Sequence, residues 1–329
     1  MGQYTQIVRL FSVASSLDGE PDDHRVEFLF FQSQINYTYE HRMERLGLTG
    51  GCSLIAIVLL IASVATAQTD TTASAVSEPC SRPTVFSTIH NDGIRGLHTM
   101  GKVLAAPTRW QGADLLVAGG IAGGTALCYS LDDKAYKLME RNHSTFNDDA
   151  TKITVEYGSG YFAVGVPATL YLSGLLLKDT WIRETAVVVG STVLLTSAIT
   201  TVGKIMIGRA RPYTGFGRAT FKPFKATDDY MSFPSGHTTA AFALSASLAA
   251  RIKNPWATAG LYGLAAAAAT SRLYTRDHWL SDVVFSAAYS TAVAHSIAKC
   301  YENDESKNEG GSSLQVIPTE GGVRVVWQF

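Results

Sequence analysis

The residues best suited to chemistry lie in the stretch Ser271 to Asp282, SRLYTRDHWLSD, which sets two arginines, a histidine and two aspartates between apolar runs. His278 and Asp282 are four residues apart, so on a helix they share one face. A carboxylate that accepts from one ring nitrogen fixes the imidazole tautomer and leaves the other nitrogen as a base or nucleophile. Taken alone, the pair reads more simply as an exposed helix contact with no role. Arg272 stands about one turn upstream, next to Ser271, and Arg276 and Asp277 read as ordinary surface contacts.

Two further polar clusters interrupt apolar segments. In SFPSGHT, Ser232 to Thr238, Pro234-Ser235-Gly236-His237 leads straight into an apolar helix. The free N–H groups and dipole of a helix start favour an anion, and glycine lets the backbone approach it closely. The Ser235 hydroxyl adds a donor, and His237 stands where it could give a proton to a leaving oxygen. The plainer reading is a serine N-cap followed by a solvent-facing histidine. In KIMIGRARP, Lys204 to Pro212, Lys204 offers a point charge and Arg211 a planar fork for phosphate oxygens. Alone, that cluster is only a basic helix end.

In order, Lys-x6-Arg-Pro, Pro-Ser-Gly-His and Ser-Arg-x5-His-x3-Asp resemble the three-part signature of the type 2 phosphatidic acid phosphatase and vanadium haloperoxidase superfamily, with every position filled. The resemblance covers roughly residues 158–299 and extends toward 113. It implies a helical core with the site at one end of the bundle. It also implies roles. His278 resembles the nucleophile that forms a phosphohistidine, Asp282 its orienting partner, and His237 the general acid for the leaving alcohol. Lys204, Arg211 and Arg272, with Ser235 and the Gly236 backbone, resemble the residues that bind phosphate oxygens. The chemistry this implies needs no metal and no cofactor, and vanadate or phosphate could occupy the same pocket.

The elements that must position these residues are helical by pattern. Apolar segments run over 113–130, 158–177, 184–203, 237–252, 257–274 and 279–299, each bounded by charge, Gly or Pro. The fold expectation is therefore all-α. It is a six-helix bundle of the phosphatidic acid phosphatase type, with a polar loop at 204–236 and a short C-terminal β-hairpin around Glu320-Gly321-Gly322. Several segments approach the ~20 apolar residues that cross a bilayer, yet their Ala, Gly, Ser and Thr content suits a compact soluble bundle equally.

Ahead of the helices, residues 43–67 read as a secretory signal peptide: Arg45, an apolar core over Leu54 to Ile61, and Ala65-Thr66-Ala67 before Gln68. On this reading residues 1–42 are a non-native upstream extension, 68–91 a linker, 92–302 the phosphatase domain and 303–329 a tail carrying the hairpin. The four cysteines form no C-x-x-C pair, which argues against a zinc site, while Cys80 and Cys300 bracket the core and could pair in an oxidising compartment. A net charge of −1 gives no footprint for nucleic acid.

The expected function is a metal-independent phosphomonoesterase acting outside the cytoplasm. Its expected partner is a lipid phosphate (phosphatidate-like, polyprenyl or lipid A phosphate), with membrane association. The alternatives are a soluble secreted acid phosphatase acting on small phosphate esters and a vanadate-dependent haloperoxidase.

Overall fold

The structure is a computed structural model that describes residues 84–309, 313–319 and 322–328. The upstream extension, the signal peptide, the linker before Thr84 and Cys80 with its proposed pairing lie outside the described residues. Eight α-helices run through them: α1 Val85–Ala105, α2 Gly112–Arg141, α3 Thr145–Tyr157, α4 Gly160–Leu177, α5 Thr180–Ile207, α6 Gly236–Ile252, α7 Pro255–Tyr274 and α8 Leu280–Glu309. The six apolar segments coincide with α2 and α4 to α8. Two strands follow, β1 Ser313–Thr319 and β2 Gly322–Gln328, paired antiparallel with Ser313 opposite Gln328.

The count of six is corrected by α1 and α3, and the reason is visible in their faces. The buried stripe of α1 is Asp92, Gly96, Thr99 and Val103, at helical spacing but mostly polar or small, so it leaves no apolar run. α1 starts at Val85, within the stretch read as linker. α3 buries only Tyr157 at its end. Ser144 starts α3 by accepting from Asn147 N at 3.2 Å, an N-cap signal lost among surrounding polar residues.

The core is built where α5, α6 and α8 meet, with α7 and α4 on the flanks of α6 and α5 and α2 against α8. α6 brings Ala241, Ala243, Leu244 and Ala246 to this centre, all at 0% exposure. Small side chains there let the helix axes approach closely, and Val188, Val189 and Ile297 fill the space between them. Among the described residues three helices, α2, α4 and α5, are long and apolar enough to cross a membrane by length and composition. They turn large apolar side chains outward, including Leu116, Leu127, Val164, Leu176 and Leu194. That surface fits membrane association.

All three polar clusters fall at one end of the bundle: the C-terminal ends of α5 and α7, the N-terminal ends of α6 and α8, and the loop 208–235. α5 is capped at its start by Asp179, whose carboxylate accepts from Ile182 N at 2.9 Å. It ends at Gly208, in the left-handed region with φ +58°. There Gly208 O accepts from Lys222 N at 2.7 Å, and a Cβ on Gly208 would lie 1.9 Å from Lys222 O. Only glycine tolerates both the conformation and the approach. Gly208→Ala is therefore expected to lower stability by roughly 2 kcal/mol or more, seen as a fall of about 4 °C or more in Tm. An unchanged melt would show that the turn relaxes freely.

Candidate active site

The loop 208–235 and the turn 275–279 are tied together by backbone hydrogen bonds, and this is what collects the three clusters. Arg209 bridges Phe221 as an isolated antiparallel pair, and Ser232 N donates to Arg209 O at 3.0 Å. Tyr213 N donates to Arg276 O at 3.0 Å, and Trp279 Nε1 donates to Ala210 O at 2.9 Å. The second cluster reaches the first through α6. Gly236 lies beside the Lys204 side chain, where an added Cβ would meet Lys204 Cε at 3.8 Å.

His278 is buried at 4% exposure. Its Nδ1 lies 2.6 Å from the carbonyl oxygen of Ser232. A carbonyl only accepts, so Nδ1 carries the hydrogen and Nε2 keeps its lone pair. The orienting contact that sequence spacing assigned to Asp282 is thus made by the Ser232 carbonyl, and Asp282 Oδ2 stands 3.9 Å from Nδ1. Asp282 acts on the same loop. Its Oδ2 accepts from the Ser232 hydroxyl at 2.5 Å and from Trp279 N at 2.9 Å, while Arg209 Nη1 donates to Oδ1. Burial raises the pKa of Asp282 above the ordinary carboxylate value, against the pull of the Arg209 guanidinium and of those donors.

Burial pushes both histidines toward the neutral form, and the same three cations add to it. His237 is held down to about 3 by burial first and then by Arg272, with Lys204 and Arg211 acting in the same sense. His278 is held well below its ordinary value by burial, then by Lys204, Arg272 and Arg211. Lys204, Arg211 and Arg272 thus lie near enough to act electrostatically on both imidazoles.

The cations are themselves held. Lys204 Nζ donates to Met231 O. Arg211 donates to Asp228 Oδ1 at 2.6 Å and to Asp277 Oδ1 at 3.1 Å, and Arg272 donates to Asp277 Oδ2 at 2.6 Å. Asp277, read from sequence as a surface residue, stands between the two arginines and holds their forks side by side. Arg211 Nε is buried without a hydrogen-bond partner among the described residues, a donor that an anion would satisfy. The fully buried Ser235 is turned inward: its hydroxyl is 2.9 Å from Thr238 Oγ1 and its N–H donates to Ser286 Oγ at 2.8 Å. Its part is to shape the start of α6, after the cis Phe233–Pro234 bond.

Sequence reasoning missed two residues. Arg209 is 2% exposed, and its fork bonds Asp282 on one side and Asp132 Oδ2 on the other, the latter at 2.7 Å. Asp132 lies in α2, just past its apolar run, and is 0% exposed. The sequence carried little signal for it: Asp132 follows the apolar run of α2 and opens the charged stretch Asp132-Asp133-Lys134, where an acidic residue reads as a surface group. Among the described residues no group of three or more His, Cys, Asp or Glu is placed to hold a metal ion.

Residues 185–306 match the family model described as the PAP2 superfamily, the family that the three clusters resemble. Lys204, Arg211, Ser235, Gly236, His237, Arg272, His278 and Asp282 all lie within that segment. A search of curated proteins found no match. Among solved structures the chain is similar to the crystal structure of Aquifex aeolicus LpxE, with 17% identity over 53% of this chain and 95% of that chain and a TM-score of 0.38.

The two depressed histidines set a pH dependence of stability. A histidine whose folded pKa lies below its unfolded value of about 6.5 contributes stability that is complete above 6.5 and is lost as pH falls toward the folded value. Each contributes up to about 1.4 kcal/mol of loss per pH unit below that point. Tm is expected to fall from pH 7 to pH 5, to fall less steeply in His237→Asn, and to recover with inorganic phosphate. A Tm that stays flat over this range would contradict the neutral pair.

Proposed function

We propose that the protein is a metal-independent phosphatase that hydrolyses the phosphate monoester of a lipid (phosphatidate, a polyprenyl phosphate or a lipid A phosphate) through a phosphohistidine on His278. The observation that carries the reading is the 2.6 Å contact from His278 Nδ1 to the Ser232 carbonyl, because it presents Nε2 as a nucleophile beside three cations. The match of residues 185–306 to the PAP2 superfamily supports the same reading. The outward apolar faces of α2, α4 and α5 favour a lipid over a soluble ester. The signal-peptide pattern of residues 43–67 supports an activity outside the cytoplasm.

In the proposed reaction Lys204, Arg211 and Arg272 bind the phosphate oxygens, and the incoming negative charge offsets the cations that, together with burial, hold His237 neutral. His237 then takes up a proton. His278 Nε2 attacks phosphorus, the bond to the alcohol oxygen breaks, and His237 gives its proton to that oxygen. The phosphorylated imidazole keeps its Nδ1 hydrogen on the Ser232 carbonyl. Water next enters the place of the alcohol. His237 takes its proton as the water oxygen attacks phosphorus, the P–N bond breaks, and phosphate leaves with His278 restored. Each step forms one bond as it breaks another, and three fixed cations stabilise the charge that builds on the equatorial oxygens.

The test is phosphate release by the purified protein with EDTA present, on para-nitrophenyl phosphate and on detergent-dispersed phosphatidate. Release is expected to survive EDTA, to fall about a thousandfold or more in His278→Ala, and to favour phosphatidate. An acid-labile, alkali-stable phosphoenzyme should form on the wild type alone. Full activity in folded His278→Ala would end this proposal.

A further inference from the structure

The charged network beneath His278 reaches a helix outside the segment matched by the family model. We propose that Asp132, acting through Arg209, is a positioning residue for the Asp282–His278 pair, an inference that rests on the phosphatase reading above.

The geometry leaves each group one arrangement. Asp132 Oδ2 accepts from Arg209 Nη2 at 2.7 Å and from the Ser281 hydroxyl at 2.8 Å, while its Oδ1 accepts from Ser281 N at 2.8 Å. Asp132 therefore anchors the guanidinium and, from a separate helix, a free N–H in the first turn of α8. That turn carries Asp282. On its other side Arg209 Nη1 donates to Ser281 Oγ at 2.7 Å and to Asp282 Oδ1, and its Nε donates to Arg218 O at 3.1 Å. With all three nitrogens committed, the fork cannot turn. The aromatic faces of Tyr129 at 5.0 Å and Trp279 at 5.5 Å close around it. Asp282 Oδ2 is thereby aimed at the Ser232 hydroxyl, and the Ser232 carbonyl receives the His278 hydrogen.

The α2 side is organised for this contact. Tyr129, Asp132 and Tyr136 recur at helical spacing on one face, and Tyr136 packs on Trp279 with ring centroids 6.0 Å apart. A buried ion pair is a weak source of net stability, because desolvation opposes its attraction. What it supplies is direction, and the direction here runs from α2 to the nucleophile.

The test is a double-variant cycle on the full chain in detergent, with kcat and KM on para-nitrophenyl phosphate and Tm for each protein. Asp132→Asn is expected to lower kcat by about 10- to 100-fold with KM within about threefold, since Asp132 does not touch the phosphate. On an Asp282→Asn background the same change should cost less than about threefold, because the residue it acts through is already disabled. A kcat near wild type in Asp132→Asn, or losses that multiply in the double variant, overturns the inference. Should Asp132→Asn fail to fold, Arg209→Lys keeps the charge without the fork; it should show the same loss of kcat with KM held, and an unchanged kcat overturns the proposal equally. Wild type that releases no phosphate overturns the phosphatase reading instead. Positioning is then read from the ring-nitrogen NMR signals of His278, assigned by their loss in His278→Ala. A fixed Nδ1–H tautomer in wild type and a mixture in Asp132→Asn support the inference, and identical spectra overturn it.

Discussion

An imidazole serves as a nucleophile only while it is neutral and while the hydrogen it carries sits on the far nitrogen. Burial and the nearby cations meet the first condition, the contact between His278 Nδ1 and the Ser232 carbonyl meets the second, and much of the structure follows from keeping that contact. A carbonyl cannot donate, so the tautomer is set by backbone. That backbone must then be fixed, which is the work of the loop 208–235. Its strand-like contact between Arg209 and Phe221, its bonds to the turn 275–279 and the tight end of α5 at Gly208 all bear on where one carbonyl points.

The second constraint is electrostatic. Three cations near two imidazoles would repel one another, and carboxylates and a carbonyl between and beside them offset that repulsion. Asp277 spans Arg211 and Arg272, Asp228 takes the other side of Arg211, and Met231 O receives Lys204. None of these contacts touches the histidines. The imidazoles are left buried with excess positive charge around them, and both are held toward the neutral form.

Much of this site could be read from the chain alone because its chemistry is written in short, contiguous clusters. Lys204, Arg211, His237, Arg272 and His278 each sit beside a Gly, a Pro or a helix boundary, where a polar residue stands out. Asp282 is instructive in a different way. Its spacing from His278 placed it on the correct face, but the carbonyl that takes the nearer position belongs to Ser232, and backbone acceptors carry no signature in sequence. Arg209 and Asp132 were hidden for opposite reasons. Arg209 lies between two motif cations and looks like one more, while Asp132 is far away in sequence, in the charged stretch that follows the apolar run 113–130. α1 and α3 escaped because apolar periodicity detects greasy faces, and their contacts are made through Asp92, Gly96, Thr99 and Tyr157.

The place of Asp132 bears on what counts as the unit of this fold. Residues 185–306 contain every side chain of the three-part signature, and they look self-sufficient. Yet the guanidinium at their centre is satisfied on one side by a carboxylate that the segment does not encode. Grafted onto another frame of apolar helices, the segment would bring His278, His237 and the three cations. It would leave Arg209 buried with one of its two carboxylates missing. The signature is therefore not a portable active site: a host helix must arrive with an acidic residue at the right height, and most apolar helices have none.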